Sequence, residues 1–179
     1  QPSREILDAA GISWAHRFGG PNWLDADTRA ALDGVEGILA GNERFDAATM
    51  ARADRLRVLA RNGVGYDRVD VAECTRRGVV VTYTPGVMAD AVADLTFALL
   101  LAVVRGVAVG DRAVKGGGYE VPMGEDLPSM TLGLLGCGRI GAEVVRRALG
   151  FRMRVLVHDP WVAAAHLRQL GAEPVSLEA

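Results

Sequence analysis

The segment of this chain best suited to chemistry is Gly136-Cys137-Gly138-Arg139-Ile140-Gly141, three glycines spaced G-x-G-x-x-G. The apolar run Leu132–Leu135 before it reads as a strand. Arg139–Leu149 after it reads as a helix with Ile140, Val144, Val145 and Ala148 facing inward. An acid, Asp159, stands eighteen residues past the last glycine, at the tip of the next predicted strand, Val155–His158. Each part has a physical job. Gly136 permits the tight turn, Gly138 lets a pyrophosphate approach the backbone with no Cβ in the way, and Gly141 lets helix and strand pack closely. The amides of Arg139 and Ile140, at a helix N-terminus, suit phosphates. Asp159 accepts hydrogen bonds from both hydroxyls of an adenosine ribose, and its charge repels a 2′-phosphate. The expected cofactor is therefore NAD rather than NADP. A methyltransferase also pairs a glycine turn with a ribose-binding acid, but the segment preceding the motif does not suit one.

Such a turn works only if a sheet and its helices hold it, and the chain supplies them in alternation. A helical face of Ile6, Leu7 and Ala10 is stopped by Gly11. Asp25 or Asp27 is positioned to cap a helix through Ala30, Ala31 and Leu32, ended by Gly34. Strands are expected at Ile38–Ala40, Arg57–Ala60 and Val79–Tyr83. Helices are expected after Asp46, through Ala53, and after Asp70, through Arg76. A long helix is expected over Asp90–Val109, with Ala91, Leu95, Ala98, Leu99 and Ala102 as its apolar face. A last helix near Ala163–Leu170 stops at Gly171, and another strand starts at Pro174-Val175. This pattern implies an α/β protein with parallel sheets. The expected domains are 1–88, lacking a first strand, then a linking helix and arm over 89–128, then half of a doubly wound domain over 129–179.

Composition narrows the partners. The 179 residues carry net charge −2, are 50% hydrophobic and 23% charged, and show no basic excess of the kind that nucleic acid recruits. The most apolar run, Leu95–Val104, is about half as long as a bilayer needs. Cys74 and Cys137 lie far apart and outside any CxxC pair, so neither a metal site nor a dithiol is expected, and a reduced cytoplasmic setting is. Cys137 reads as a small apolar filler. His16, His158 and His166 read as structural or exposed. Trp14, Trp23 and Trp161 read as packing residues, Trp161 at the edge of an adenine pocket.

Several motifs then follow in one order: Arg61-Asn62-Gly63-Val64-Gly65-Tyr66-Asp67-Arg68-Val69-Asp70, Thr84-Pro85-Gly86, Ala93-Asp94-Leu95-Thr96, the glycine turn, and His158-Asp159-Pro160. Together they resemble the D-isomer-specific 2-hydroxyacid dehydrogenases, most closely the D-3-phosphoglycerate dehydrogenase branch with its glyoxylate/hydroxypyruvate reductase relatives. The resemblance implies a flavodoxin-like substrate domain beside a Rossmann NAD-binding domain, both incomplete here, and hydride transfer between nicotinamide and C2 of a 2-hydroxy or 2-keto acid. It implies that backbone amides of Asn62, Gly63 and Val64 hold the substrate carboxylate, with Arg61 beside them and Val64 against the nicotinamide. Amides on a Gly-bearing turn do suit an anion. It also implies a homodimer, with an arm over Gly106–Pro128.

Two departures stand out. The family's catalytic Arg, Glu and His fall beyond Ala179, so no catalytic residue is carried onto this chain, which alone is expected to be inactive. Met88 stands where phosphoglycerate dehydrogenases often carry Asn, and Ala40-Gly41 supplies no phosphate-binding Arg. The C-terminal binding protein corepressors resemble the same family, so an NAD-sensing, non-catalytic binding protein is the alternative expectation.

Overall fold

The computed structural model describes residues 2–16, 30 and 32–178. The chain forms two compact units, Gln1–Pro85 and Gly86–Ala179. The division falls three residues before the expected boundary at 88, and the helix expected to link domains belongs to the second unit. The expected caps Asp25 and Asp27, and Trp23, lie outside the described residues.

The first unit opens with helix α1 (Pro2–Ala9), stopped where Gly11 turns left-handed at φ +67°. Ile6 and Ala10 of its expected apolar face are exposed. Trp14 donates from Nε1 to Asp8 at 2.8 Å and lies under the Arg4 guanidinium, so it is held by polar and cation–π contacts. Strands β1 (Gly37–Ala40), β2 (Val58–Arg61) and β3 (Val80–Thr82) form a parallel sheet in that order. Residues Ala40 and Arg61 pair at its carboxyl edge. Between strands lie α2 (Ala47–Met50) and α3 (Val71–Arg76), both started by the expected caps. The Asp46 carboxylate accepts from the Thr49 amide and the Asp70 carboxylate from the Glu73 amide, each at 2.9 Å. Helix α2 stops short of the expected Ala53. Phe45, Met50, Leu59 and Cys74 are almost fully buried at the centre of this unit. Glu73 is buried beneath Arg76 and Arg77 and is neutralised by both. The opposite sheet face carries Leu39 and Val80, about two-thirds exposed.

In the second unit, α4 (Ala89–Val104) and α5 (Val107–Lys115) replace the single helix expected over Asp90–Val109; the two are bent by 63°. Gly106 breaks the ladder by adopting φ +61°, and Pro122 fills the space where a side chain would stand. A Cβ at this position would lie 2.5 Å from the Pro122 Cβ. We expect Gly106→Ala to cost about 2 kcal/mol of stability, from the left-handed backbone and the clash combined. A urea midpoint unchanged from wild type would contradict this.

The buried face of α4 is also not the expected one. Ala89, Ala93 and Phe97 are buried, while Leu95 and Leu99 are about 60% exposed. The helix is apolar nearly all round, so periodicity alone selects no face. Packing selects it: Phe97 stacks on Phe151 at 5.3 Å, and Arg147 reaches across to Asp90 and Asp94 at 3.0 and 2.7 Å.

Strands β4 (Thr131–Leu135), β5 (Arg154–His158) and β6 (Glu173–Pro174) form the second parallel sheet, joined by α6 (Arg139–Gly150) and α7 (Ala164–Gln169). Helix α6 buries Val144, Val145 and Ala148 as expected. Ile140 is 41% exposed instead, because Gly141 is the residue of the first turn that meets the strand. Among the described residues no single helix is long and apolar enough to cross a membrane.

Candidate functional site

The glycine turn joins β4 to α6 at the carboxyl edge of the second sheet. Gly136 takes φ +90°, which only glycine adopts without strain, and its amide extends the ladder to the His158 carbonyl at 2.8 Å. Gly141 answers a different demand. A Cβ there would lie 2.6 Å from the Gly136 carbonyl oxygen, so the first turn of α6 closes on the strand only with glycine. Gly138 answers neither. Its backbone (φ −70°, ψ −158°) suits any residue, and a Cβ built on it meets no atom of the described residues within 4 Å. The missing side chain is therefore not required by the protein's own packing, which fits a group approaching from outside. Gly138 caps α6 without a side-chain hydrogen bond. The amides of Arg139 and Ile140 have no acceptor among the described residues.

Asp159 is bound into this turn. Its Oδ2 accepts from the Cys137 amide at 2.6 Å, and its Oδ1 accepts from the amides of Trp161 and Val162 at 2.8 and 3.0 Å. The Cys137 amide, then the Trp161 amide, hold the carboxyl below its usual range, and His158 adds to this. A carboxylate has about four acceptor directions. Three are already used here, a linkage the spacing of glycines and acid does not reveal. Cys137 is buried, with burial first and Asp159 second pushing its thiol up, so it is a packing residue and no thiolate. Cys74 is likewise buried, free and raised by burial.

Beside Asp159 lies a cavity of about 320 Å³ lined in part by His158, Val162, Arg168, Val175 and Ser176. His158 Nδ1 lies 3.2 Å from the Val175 carbonyl oxygen. Nothing in the sequence singles out Arg168 or Ser176, since both follow the glycine turn too distantly for any local spacing to flag them. Trp161 is 91% exposed and does not pack, contrary to expectation.

The second candidate site lies in the first unit, on the loop after β2. The Asn62 amide donates to Ala40 at 2.8 Å and the Gly63 amide to Arg61 at 3.0 Å, while the Gly63 carbonyl accepts from Thr84 at 3.0 Å. The amides of Val64 and Gly65 have no acceptor among the described residues. Two of the three expected anion-binding amides are thus already donating within the protein. Val64 is 39% exposed. The Arg61 guanidinium folds over the loop, its Nη1 3.2 Å from the Asn62 carbonyl oxygen.

Comparison with known proteins places the chain in a family. Residues 5–172 match the family model described as D-isomer specific 2-hydroxyacid dehydrogenase, catalytic domain. Among curated proteins, the chain is 47% identical over 140 residues to a glyoxylate reductase of Korarchaeum cryptofilum, covering 75% of this chain and 42% of that protein. It is 42% identical over 146 residues to a glyoxylate reductase of Pyrococcus horikoshii, covering 76% and 44%. Among solved structures, the TT0316 protein from Thermus thermophilus superposes with TM-score 0.86 at 37% identity, over 99% of this chain and 57% of that one. D-Lactate dehydrogenase from Aquifex aeolicus, complexed with NAD and lactic acid, gives TM-score 0.78 at 25% identity, over 99% and 54%. The chain therefore spans less than half the length of the curated relatives named here.

Proposed function

The chain belongs to the D-isomer specific 2-hydroxyacid dehydrogenases, and from that premise we propose that the whole protein moves a hydride between NAD and C2 of a small 2-hydroxy or 2-keto acid. The observation that carries this reading is the glycine turn latched to Asp159 through the Cys137 amide. Gly136, Gly138 and Gly141 shape the phosphate cradle, the amides of Arg139 and Ile140 bind the pyrophosphate, and Asp159, with one acceptor direction left open by its three amide partners, takes one ribose hydroxyl rather than both. When bound, NAD supplies the hydride acceptor or donor. A 2′-phosphate would stand beside the Asp159 carboxylate, which favours NAD over NADP.

On the first unit, the open amides of Val64 and Gly65, with Arg61, suit the carboxylate of the acid. Reduction of a carbonyl also needs a proton donor and a cation near the developing oxyanion. The residues named in this chain bind and orient; none of them is assigned the proton, so residues 1–179 alone are expected to turn nothing over. The exposed Leu95, Leu99 and Val103 on the outer face of α4 suit the interface of a homodimer. The family relation favours a cytoplasmic enzyme.

The test is NADH consumption by the whole protein with glyoxylate, hydroxypyruvate and pyruvate, alongside calorimetric titration with NADH and NADPH. Turnover with NADH preferred is the expected result. NADH binding without turnover of any acid would favour a cofactor-sensing binding protein, and neither binding nor turnover would remove the reading altogether.

A further inference from the structure

We propose that Glu43 is a specificity-determining residue that keeps a second negative charge out of the substrate site, a role that rests on the dehydrogenase reading above. Three residues after β1 ends, its side chain folds back toward the sheet. A Cβ built on Gly41 would lie 3.2 Å from both of its carboxylate oxygens. Gly41 directly follows Ala40, which pairs with Arg61 and accepts from the Asn62 amide. Neighbouring strands lie about 4.8 Å apart, so the carboxylate stands one strand from the Asn62–Gly65 loop, at the same carboxyl edge of the sheet.

The backbone holds it there. Arg68 Nη1 donates to the Asn42 carbonyl at 3.3 Å, the Phe45 amide to Arg68 at 2.8 Å, and the Asp70 amide to Phe45 at 2.8 Å. Among the described residues, Oε2 of the half-buried Glu43 is buried without a hydrogen-bond partner, and so is Nε of Arg61; no ion pair joins the two there. A buried acceptor left unpaired is costly, and a group of this kind calls for an explanation, a role in a site being one.

The arrangement places one cation, Arg61, and the Val64 and Gly65 amides for one substrate carboxylate, with an anion on the loop that follows the adjoining strand. A substrate carrying a second anionic group, on C3, meets Glu43 in a partly desolvated setting where like charges repel strongly. Acids with a single carboxylate and a hydrogen or hydroxyl-bearing carbon beyond C2 do not.

The experiment compares kcat/KM of the whole protein for oxaloacetate, with two carboxylates, against glyoxylate and hydroxypyruvate, with one, at fixed ionic strength. Glu43→Gln removes the charge and keeps the shape; Glu43→Thr is the second variant. The oxaloacetate-to-glyoxylate ratio is expected to rise about tenfold in both, mainly through KM, as removal of one like charge from such a site implies. A ratio within about twofold of wild type overturns the proposal, and so does failure of both variants to fold, which would make Glu43 structural. Wild-type protein inert toward glyoxylate and hydroxypyruvate would instead refute the dehydrogenase reading itself.

Discussion

Replacing Gly138 by Ala is expected to leave the thermal midpoint unchanged while weakening NAD binding at least about tenfold, roughly 1.4 kcal/mol. The structure gives the new methyl group free space in the protein and an ordinary backbone conformation to occupy. The same methyl would stand where a pyrophosphate must reach the turn. Gly141→Ala is the control with the opposite balance. Its Cβ would press on the Gly136 carbonyl oxygen at 2.6 Å, and backbone does not yield as a side-chain tip does. Overpacking of this kind costs about 1–3 kcal/mol, so Gly141→Ala should lower the melting temperature as well as the affinity. Thermal melts and calorimetric titration of the two variants separate these effects. Equal losses of stability in both would make Gly138 a packing residue, and undiminished affinity in Gly138→Ala would remove the phosphate cradle from this turn.

Asp159→Ala is expected to have the largest effect on cofactor choice. It removes both the proposed ribose acceptor and the charge proposed to face a 2′-phosphate, so the expected preference for NADH over NADPH should narrow about a hundredfold, the scale on which removing a specific charged contact acts. A preference unchanged by the substitution would show that some other group reads the ribose. The same variant should also loosen the turn, because Cys137, Trp161 and Val162 lose their common acceptor.

That second effect has a definite pH dependence. The folded-state pKa of Asp159 lies below the usual 3.8. The stabilisation by its ionised form is therefore complete above that value and fades as pH falls through the lower, folded-state pKa. The melting difference between wild type and Asp159→Ala should be flat through the neutral range and shrink in acid below 3.8. A difference that instead changes between pH 6 and 8 would point to a neighbouring histidine.

Much of this was legible in the sequence, because the signals were local. A cap acts three residues away, as Asp46 and Asp70 do on Thr49 and Glu73. A stop glycine acts on its own φ, as Gly11 and Gly171 do. The glycine turn announces itself through three positions within six residues, and Asp159 through the length of one helix and one strand. What local signals left open, tertiary contact decided. Helix α4 is apolar nearly all round, and contacts some fifty residues on, Phe151 and Arg147 among them, select the face that is buried. The helix breaks at Gly106, which takes φ +61° where Pro122, from a segment without periodicity, leaves no room for a side chain. The proposed ribose role of Asp159 comes from spacing alone, but its three amide partners were not readable, since Cys137 reaches it across the sheet edge. Glu43 gave no sign at all, because an unpaired carboxylate becomes notable only once two strands are laid side by side. Spacing along the chain specifies what a backbone can do by itself; which charges end up desolvated, and beside what, is a property of strands and helices that meet only in the folded protein.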